Sequence, residues 1–406
     1  MTSARTLTRT TRTALIAGLL ASCGAASIQH NLEPVREGHG YQAQYRALDL
    51  IDGDHPPVLR STAINAERCL APHGGTRRST SIPRALQGQR LSRDDLLDVR
   101  IAGDDTFEGR YTVAQDGTVH LPFLPRVQAQ GRSVHSVQAA IGQALIQEGF
   151  YTEVPRISVR VTDYAAVQAA VSGAVFEPRG ITIGGASGDD IDAARQEALG
   201  ASSTNRTLSA ALRSAGGVRP DADLSAVHLT RAGIVHVLDL RAMAEGNATN
   251  DVVILADDQI EVPSLGCFQD ALMRPSTISP PGISLYLSNL TVPAVGNASS
   301  GIGREVRQVP YGTRYMQAVV NSNCVGGTRA TSAARSAVLF TRNPMTGISA
   351  VIERDIETLL HRADRDDYDP YLLPGDAVAC YDSAVTNVTD IAAALGVVLG
   401  LRSLID

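Results

Sequence analysis

Asp257-Asp258-Gln259-Ile260-Glu261-Val262-Pro263 and Leu373-Pro374-Gly375-Asp376-Ala377-Val378-Ala379-Cys380 decide the fold, because each closes a unit whose parts recur in the same order. In the first unit, Val171-Ser172-Gly173-Ala174-Val175-Phe176-Glu177-Pro178-Arg179-Gly180 is followed by Leu208-Ser209-Ala210-Ala211-Leu212, by Ala215-Gly216-Gly217 and by Val227-His228-Leu229-Thr230-Arg231. In the second, Val309-Pro310-Tyr311-Gly312 precedes Met316-Gln317-Ala318-Val319-Val320, Val325-Gly326-Gly327 and Val338-Leu339-Phe340-Thr341-Arg342. An internal repeat fixes architecture more firmly than a single motif. Each unit needs its Gly pair where a helix hands over to a strand, since Gly takes a left-handed C-cap without steric cost. The closing turn then starts the last strand. The sequence thus predicts α+β modules over 166–265 and 309–384, with 181–206 an insertion and 266–308 a linker or insertion.

Upstream, residues 24 to about 85 are polar, rich in Pro and Gly and without sustained periodicity, which reads as a tether. Order begins near Leu91. Leu97-Asp98-Val99-Arg100-Ile101 alternates as a strand, and Gly109-Arg110-Tyr111-Thr112-Val113 leads through Asp116-Gly117 to Thr118-Val119-His120-Leu121, the pattern of a β-hairpin. Val134, Val137, Ala140, Ile141, Ala144 and Leu145 then recur at helical spacing, with Ser133 placed to cap. Pro155-Arg156-Ile157-Ser158-Val159-Arg160-Val161 returns to period two.

The series Asp95-Leu96-Leu97-Asp98-Val99, Tyr111-Thr112-Val113, Asp116-Gly117-Thr118-Val119-His120-Leu121-Pro122, Gly131-Arg132-Ser133 and Pro155-Arg156-Ile157-Ser158-Val159 resembles the polysaccharide biosynthesis/export domain of bacterial outer-membrane export lipoproteins. That assigns 88–165 to the export domain and makes the two repeats resemble soluble-ligand-binding β-grasp modules, the second more divergent. One departure is Ser92-Arg93-Asp94-Asp95, where the family usually has a Pro-Gly-Asp turn, which puts the first turn in question.

At the N-terminus, Arg5, Arg9 and Arg12 precede the short apolar run Ala14 to Leu20, and Leu20-Ala21-Ser22-Cys23 offers a cleavage site with a thiol behind it. This is similar to a lipoprotein signal over 1–22, with Cys23 lipidated and 23–87 an anchored segment; an ordinary cleaved signal is the alternative. Gly24 rather than Asp at the next position fits lipoproteins sent to the outer membrane. Cys69, Cys267, Cys324 and Cys380 remain, an even number outside the cytoplasm that allows two disulfides in three connectivities. Cys324 with Cys380 is the favoured pair, and small buried thiols are the alternative.

From Asp390 to Ile405 the chain reads as one helix, with Thr389 as N-cap and a length of about 24 Å. Ala393, Gly396, Gly400 and Ser403 share one face, and Gly396 with Gly400 makes a GxxxG pair suited to close helix contact. From the residues alone, docking on the globular body and spanning a membrane stand level. The family resemblance implies the second, with 385–406 placing one helix per subunit in the outer membrane. It further implies a homo-oligomeric ring, expected to be an octamer, that passes capsular or exopolysaccharide. The implied partners are an inner-membrane polysaccharide co-polymerase, the polymer and outer-membrane lipid. A lipid-anchored glycan-binding scaffold without a channel is the other reading.

At 406 residues the chain allows two or three domains. A net charge of −6 offers no basic face for a phosphate backbone, so no nucleic-acid partner is expected. With no Trp and 4% aromatic residues, a tight platform of stacked rings for sugars is disfavoured. No GxxxxGK[ST] loop, HExxH helix or GxSxG elbow occurs. The acid pairs Asp94–Asp95, Asp104–Asp105 and Asp366–Asp367 read as solvated turns, and His228 and His236 only flank a turn around Gly233. No enzyme activity, cofactor or metal is expected.

Overall fold

The structure is a computed structural model that describes residues 69–79, 81–185, 205–247, 251–289, 307–322, 324–325, 335–361 and 368–381. It divides into two compact units, one covering 68–281 and the other beginning at Gly282.

The first unit opens with a three-stranded antiparallel sheet ordered β2-β1-β5, from β1 (Leu96–Ile101), β2 (Asp104–Thr112) and β5 (Ile157–Asp163). Helix α1 (Val134–Gln147) packs on β5, and the Ser133 hydroxyl accepts the Ser136 N–H at 3.2 Å as its cap. Val137, Ile141 and Leu145 lie one turn apart, so one helical face meets Leu97, Val99, Ile101 and Phe107 in a closed core. The hairpin expected around Asp116-Gly117 differs in its pairing. The chain does turn there, with Ala114 N–H bonded to Thr118 O at 2.8 Å. Strand β2, however, is already zipped to β1 across Ala102-Gly103, so β3 (Thr118–Val119) takes β4 (Val127–Gln128) as partner. The shorter connection costs less closure entropy.

The rest of this unit is a five-stranded sheet ordered β7-β6-β10-β8-β9, from β6 (Val167–Gly173), β7 (Arg179–Ile183), β8 (Val227–Arg231), β9 (Ile234–Leu238) and β10 (Gln259–Val262). The central β6–β10 pair is parallel and every other pair antiparallel. Helix α2 (Leu208–Ser214) packs on β6 and β7, and the short α3 (Arg241–Ala244) follows β9. Alternate burial along β6 sends Val167, Ala169 and Val171 into a core with Leu212, Leu229 and Ile260. After α2, Gly216 and Gly217 have φ of 77° and 82°, and a Cβ on Gly217 would stand 2.3 Å from Pro280 N. The Gly pair is therefore required by both conformation and close approach. Residues 181–183, expected to open an insertion, form the end of β7 instead.

The second unit repeats this topology, with order β12-β11-β15-β13-β14. Its strands are β11 (Ile283–Asn289), β12 (Arg307–Val309), β13 (Ser336–Arg342), β14 (Ser349–Asp355) and β15 (Ala377–Tyr381), with helices α4 (Tyr315–Asn321) and α5 (Ile356–His361). Here β11 and β15 form the parallel central pair. The repeat thus begins at Ile283 rather than Val309, because a segment read as a linker supplies its first strand. Cys324 is joined to Cys380 of β15. The second glycine pair, Gly326 and Gly327, lies outside the described residues.

Candidate functional site

One turn occurs three times, each time leading into the middle strand of a sheet. In Ser92-Arg93-Asp94-Asp95 the Asp95 carboxylate accepts the Ser92 N–H at 2.7 Å. Asp258 accepts the Leu255 N–H at 2.8 Å and Asp376 the Leu373 N–H at 2.9 Å. In each copy the Asp N–H donates back to the same residue's carbonyl. The residue before the Asp is left-handed in all three, with φ of 67° at Asp94, 70° at Asp257 and 87° at Gly375. Only the last copy uses Gly. Asp is among the few other residues that tolerate this region, so the departure from Pro-Gly-Asp at 93–95 leaves the turn intact.

What each buried Asp binds next differs. Arg231 bonds Asp258 through Nε at 3.0 Å and a terminal nitrogen at 2.6 Å. Thr341 Oγ1 donates to Asp376 at 2.6 Å. Asp95 takes Arg206, which stands just ahead of α2 in the following module, at 2.6 and 3.2 Å. Both side chains are 0% exposed. Arg206 also donates to the carbonyls of Arg90 at 3.0 Å and Ala165 at 3.3 Å, and its guanidinium lies 4.9 Å from the Tyr164 ring centre. Burial pushes the Asp95 carboxyl up, opposed by Arg206 and by the N–H groups of Ser92 and Ala165. The first two turns also touch directly: Ala256 N–H donates to Ser92 Oγ at 3.0 Å and Arg93 pairs with Asp257. This cluster joins the three-stranded domain to the first five-stranded module within one unit. Asp95 is thus a buried ion-pair partner, not the solvated turn residue expected from the sequence.

A second constellation holds residues 69–79 as a strap on the same module. Cys69 is disulfide-bonded to Cys267, and Leu70 N–H donates to Leu265 O at 2.9 Å. His73 donates its N–H to Asp223 at 2.7 Å and approaches the same oxygen through Nδ1 at 2.8 Å. Gly74 N–H reaches Ser225 Oγ at 2.9 Å, and a Cβ there would stand 2.1 Å from the Ser225 carbonyl oxygen. Asp239 accepts Ser79 N–H at 2.9 Å, and Arg241 caps the carbonyls of Gly75 and Arg77 at 3.1 and 3.0 Å. Burial raises both carboxyls, but hydrogen bonds outweigh it and hold them below the usual range: Ser225 and His73 at Asp223, Arg241 and Ser79 at Asp239. A carboxyl depressed by folding stabilises the fold above the ordinary carboxylate range and loses that contribution as pH falls through it. The Asp223→Asn, Asp239→Asn double variant should therefore melt well below the parent at neutral pH, with the gap closing below about pH 4. A gap independent of pH would contradict this.

Of the residues singled out from the sequence, Cys324 and Cys380 are brought together, whereas Cys23, Ala393, Gly396, Gly400 and Ser403 lie outside the described residues, as do Asp366 and Asp367. Among the described residues no group of His, Cys, Asp or Glu is gathered to hold a metal ion, and no helix is long and apolar enough to cross a membrane. His228 faces Glu261 at 3.6 Å. Arg206 was not legible as a site residue; its only signal is the need of a buried acid for a cation. Residues 83–162, which contain the Asp95 turn and the three-stranded sheet except the last residue of β5, match the family model described as polysaccharide biosynthesis/export protein. No curated protein matches the chain.

Proposed function

From a chain that carries a polysaccharide biosynthesis/export domain, we propose a subunit of an outer-membrane channel that passes capsular or exopolysaccharide from periplasm to cell surface. The observation that carries this reading is the domain match at 83–162. The family is one of transport rather than catalysis. The two five-stranded sheets support it: each has, in its own numbering, the order 2-1-5-3-4 with a parallel centre, which we read as soluble-ligand-binding β-grasp modules.

In this reading Cys23 carries the lipid, and the strap transmits that anchor to the first module through Cys69–Cys267. Residues 385–406 span the outer membrane, one helix per subunit, with Ala393, Gly396, Gly400 and Ser403 as the helix-packing face. A lone helix makes no pore, but a homo-oligomeric ring of helices, each satisfying its own backbone groups, does. Polymer moves by weak, distributed contacts, since tight binding would stall it. The energy-linked step falls to an inner-membrane co-polymerase.

Imaging the protein extracted in mild detergent tests the ring. Closed rings with a central channel are expected, reduced to ringless particles when 385–406 is removed. Monomers in both cases would instead favour an anchored glycan-binding scaffold.

A further inference from the structure

Leu121-Pro122-Phe123-Leu124 is a tight turn that holds a phenylalanine where the backbone favours glycine. Leu124 N–H donates to Leu121 O at 3.3 Å, and Phe123 has φ of +60°. Pro in the second position and positive φ in the third is the type II pattern, which Gly or Asn normally serves. A bulky side chain there is strained, and strain of this kind marks candidate functional positions. Burial does not compensate for it, because Phe123 is 75% exposed.

The ring is not isolated. Phe150, 44% exposed, lies 6.4 Å from it at an inclination of 43°. Phe150 is in turn held edge-on against buried Phe107 at 5.1 Å and 78°. Three of the chain's six Phe residues therefore gather within the matched segment, in a chain with no Trp.

We propose that Phe123 and Phe150 form a contact site for the exported glycan, with the C–H face of a sugar ring resting on Phe123. This rests on the export reading above. Two rings match one or two sugar units, whereas a standard protein interface needs about 800 Å² from each partner. A small open contact also suits a polymer that must move on.

The test uses the full-length protein in detergent and oligosaccharides released by acid hydrolysis from the producing cells' own surface polymer. Phe123→Gly should melt higher than the parent, because the turn relaxes. Saturation transfer from protein to sugar protons should nevertheless fall about threefold to tenfold, and Phe123→Tyr should restore it. A variant that is better folded yet binds less polymer cannot be dismissed as misfolded. Undiminished transfer in Phe123→Gly would overturn the proposal, as would a change in particle mass or a lost co-purifying protein with transfer intact, which would make the rings a protein interface. Surface polymer that persists when the whole chain is deleted would bring down the export reading itself, and the ligand's identity with it.

Discussion

Replacing Arg206 with Ala is expected to cost about 3–5 kcal/mol of folding free energy, because it leaves the Asp95 carboxylate buried without its cation. Asp95 retains only the N–H groups of Ser92 and Ala165, at 2.7 and 3.0 Å. The Arg90 and Ala165 carbonyls lose a donor at the same time. The loss is therefore larger than the net worth of the pair. Replacing both partners together, Asp95→Leu with Arg206→Met, should be less damaging than either single change, since no lone charge is then buried. Denaturant melts of the parent, Arg206→Ala, Asp95→Leu, Arg206→Met and the double variant measure this directly. A single-variant loss under about 1 kcal/mol, the range of exposed pairs, would mean that the joint is solvated. Because the pair ties the export domain to the module that follows, Arg206→Ala should also split one cooperative transition into two.

The second large effect is expected at Cys324 and Cys380. Their bridge closes a separation of 56 residues, worth about 4 kcal/mol in the chain-entropy account of cross-links. It also ties the end of α4 to the central strand β15 of the second module, so the double Ser variant should unfold that module first. Thermal melts with and without a reductant check it: the parent should lose stability on reduction, and the double Ser variant should lose less. Equal melting of parent and double Ser variant would contradict the expectation. The bridge Cys69–Cys267 spans 198 residues but pins the strap, so its removal should expose 69–79 to proteases before the module melts.

The strands that announce themselves in the sequence are those with local partners or strict alternation. Leu97 to Ile101, Ile157 to Val161 and Val227 to Arg231 all fall in strands, and Ser133 caps the helix whose apolar spacing predicts it. Ile283–Asn289 has the same alternation, with Ile283 and Leu285 buried and Tyr286 exposed. Its main partner is a parallel strand near the end of the chain, and a parallel pair has no turn of its own to mark it. That is why the second module seems to start at Val309 when only sequence is read. Arg206 was hidden for a different reason: Arg is a surface residue by default, and its partner lies 111 residues away. Asp94 shows the reverse case, in which an apparent loss of a turn motif is only a change of left-handed residue from Gly to Asp.

The most direct test of polysaccharide export is to measure where the polymer resides in cells with and without this chain. Fractionation and surface labelling should find the polymer on the surface when the chain is present. Without it, polymer should be retained inside the outer membrane, and export should return with the intact gene but not with one lacking residues 385–406. Equal surface polymer in the presence and absence of the chain would contradict the export function.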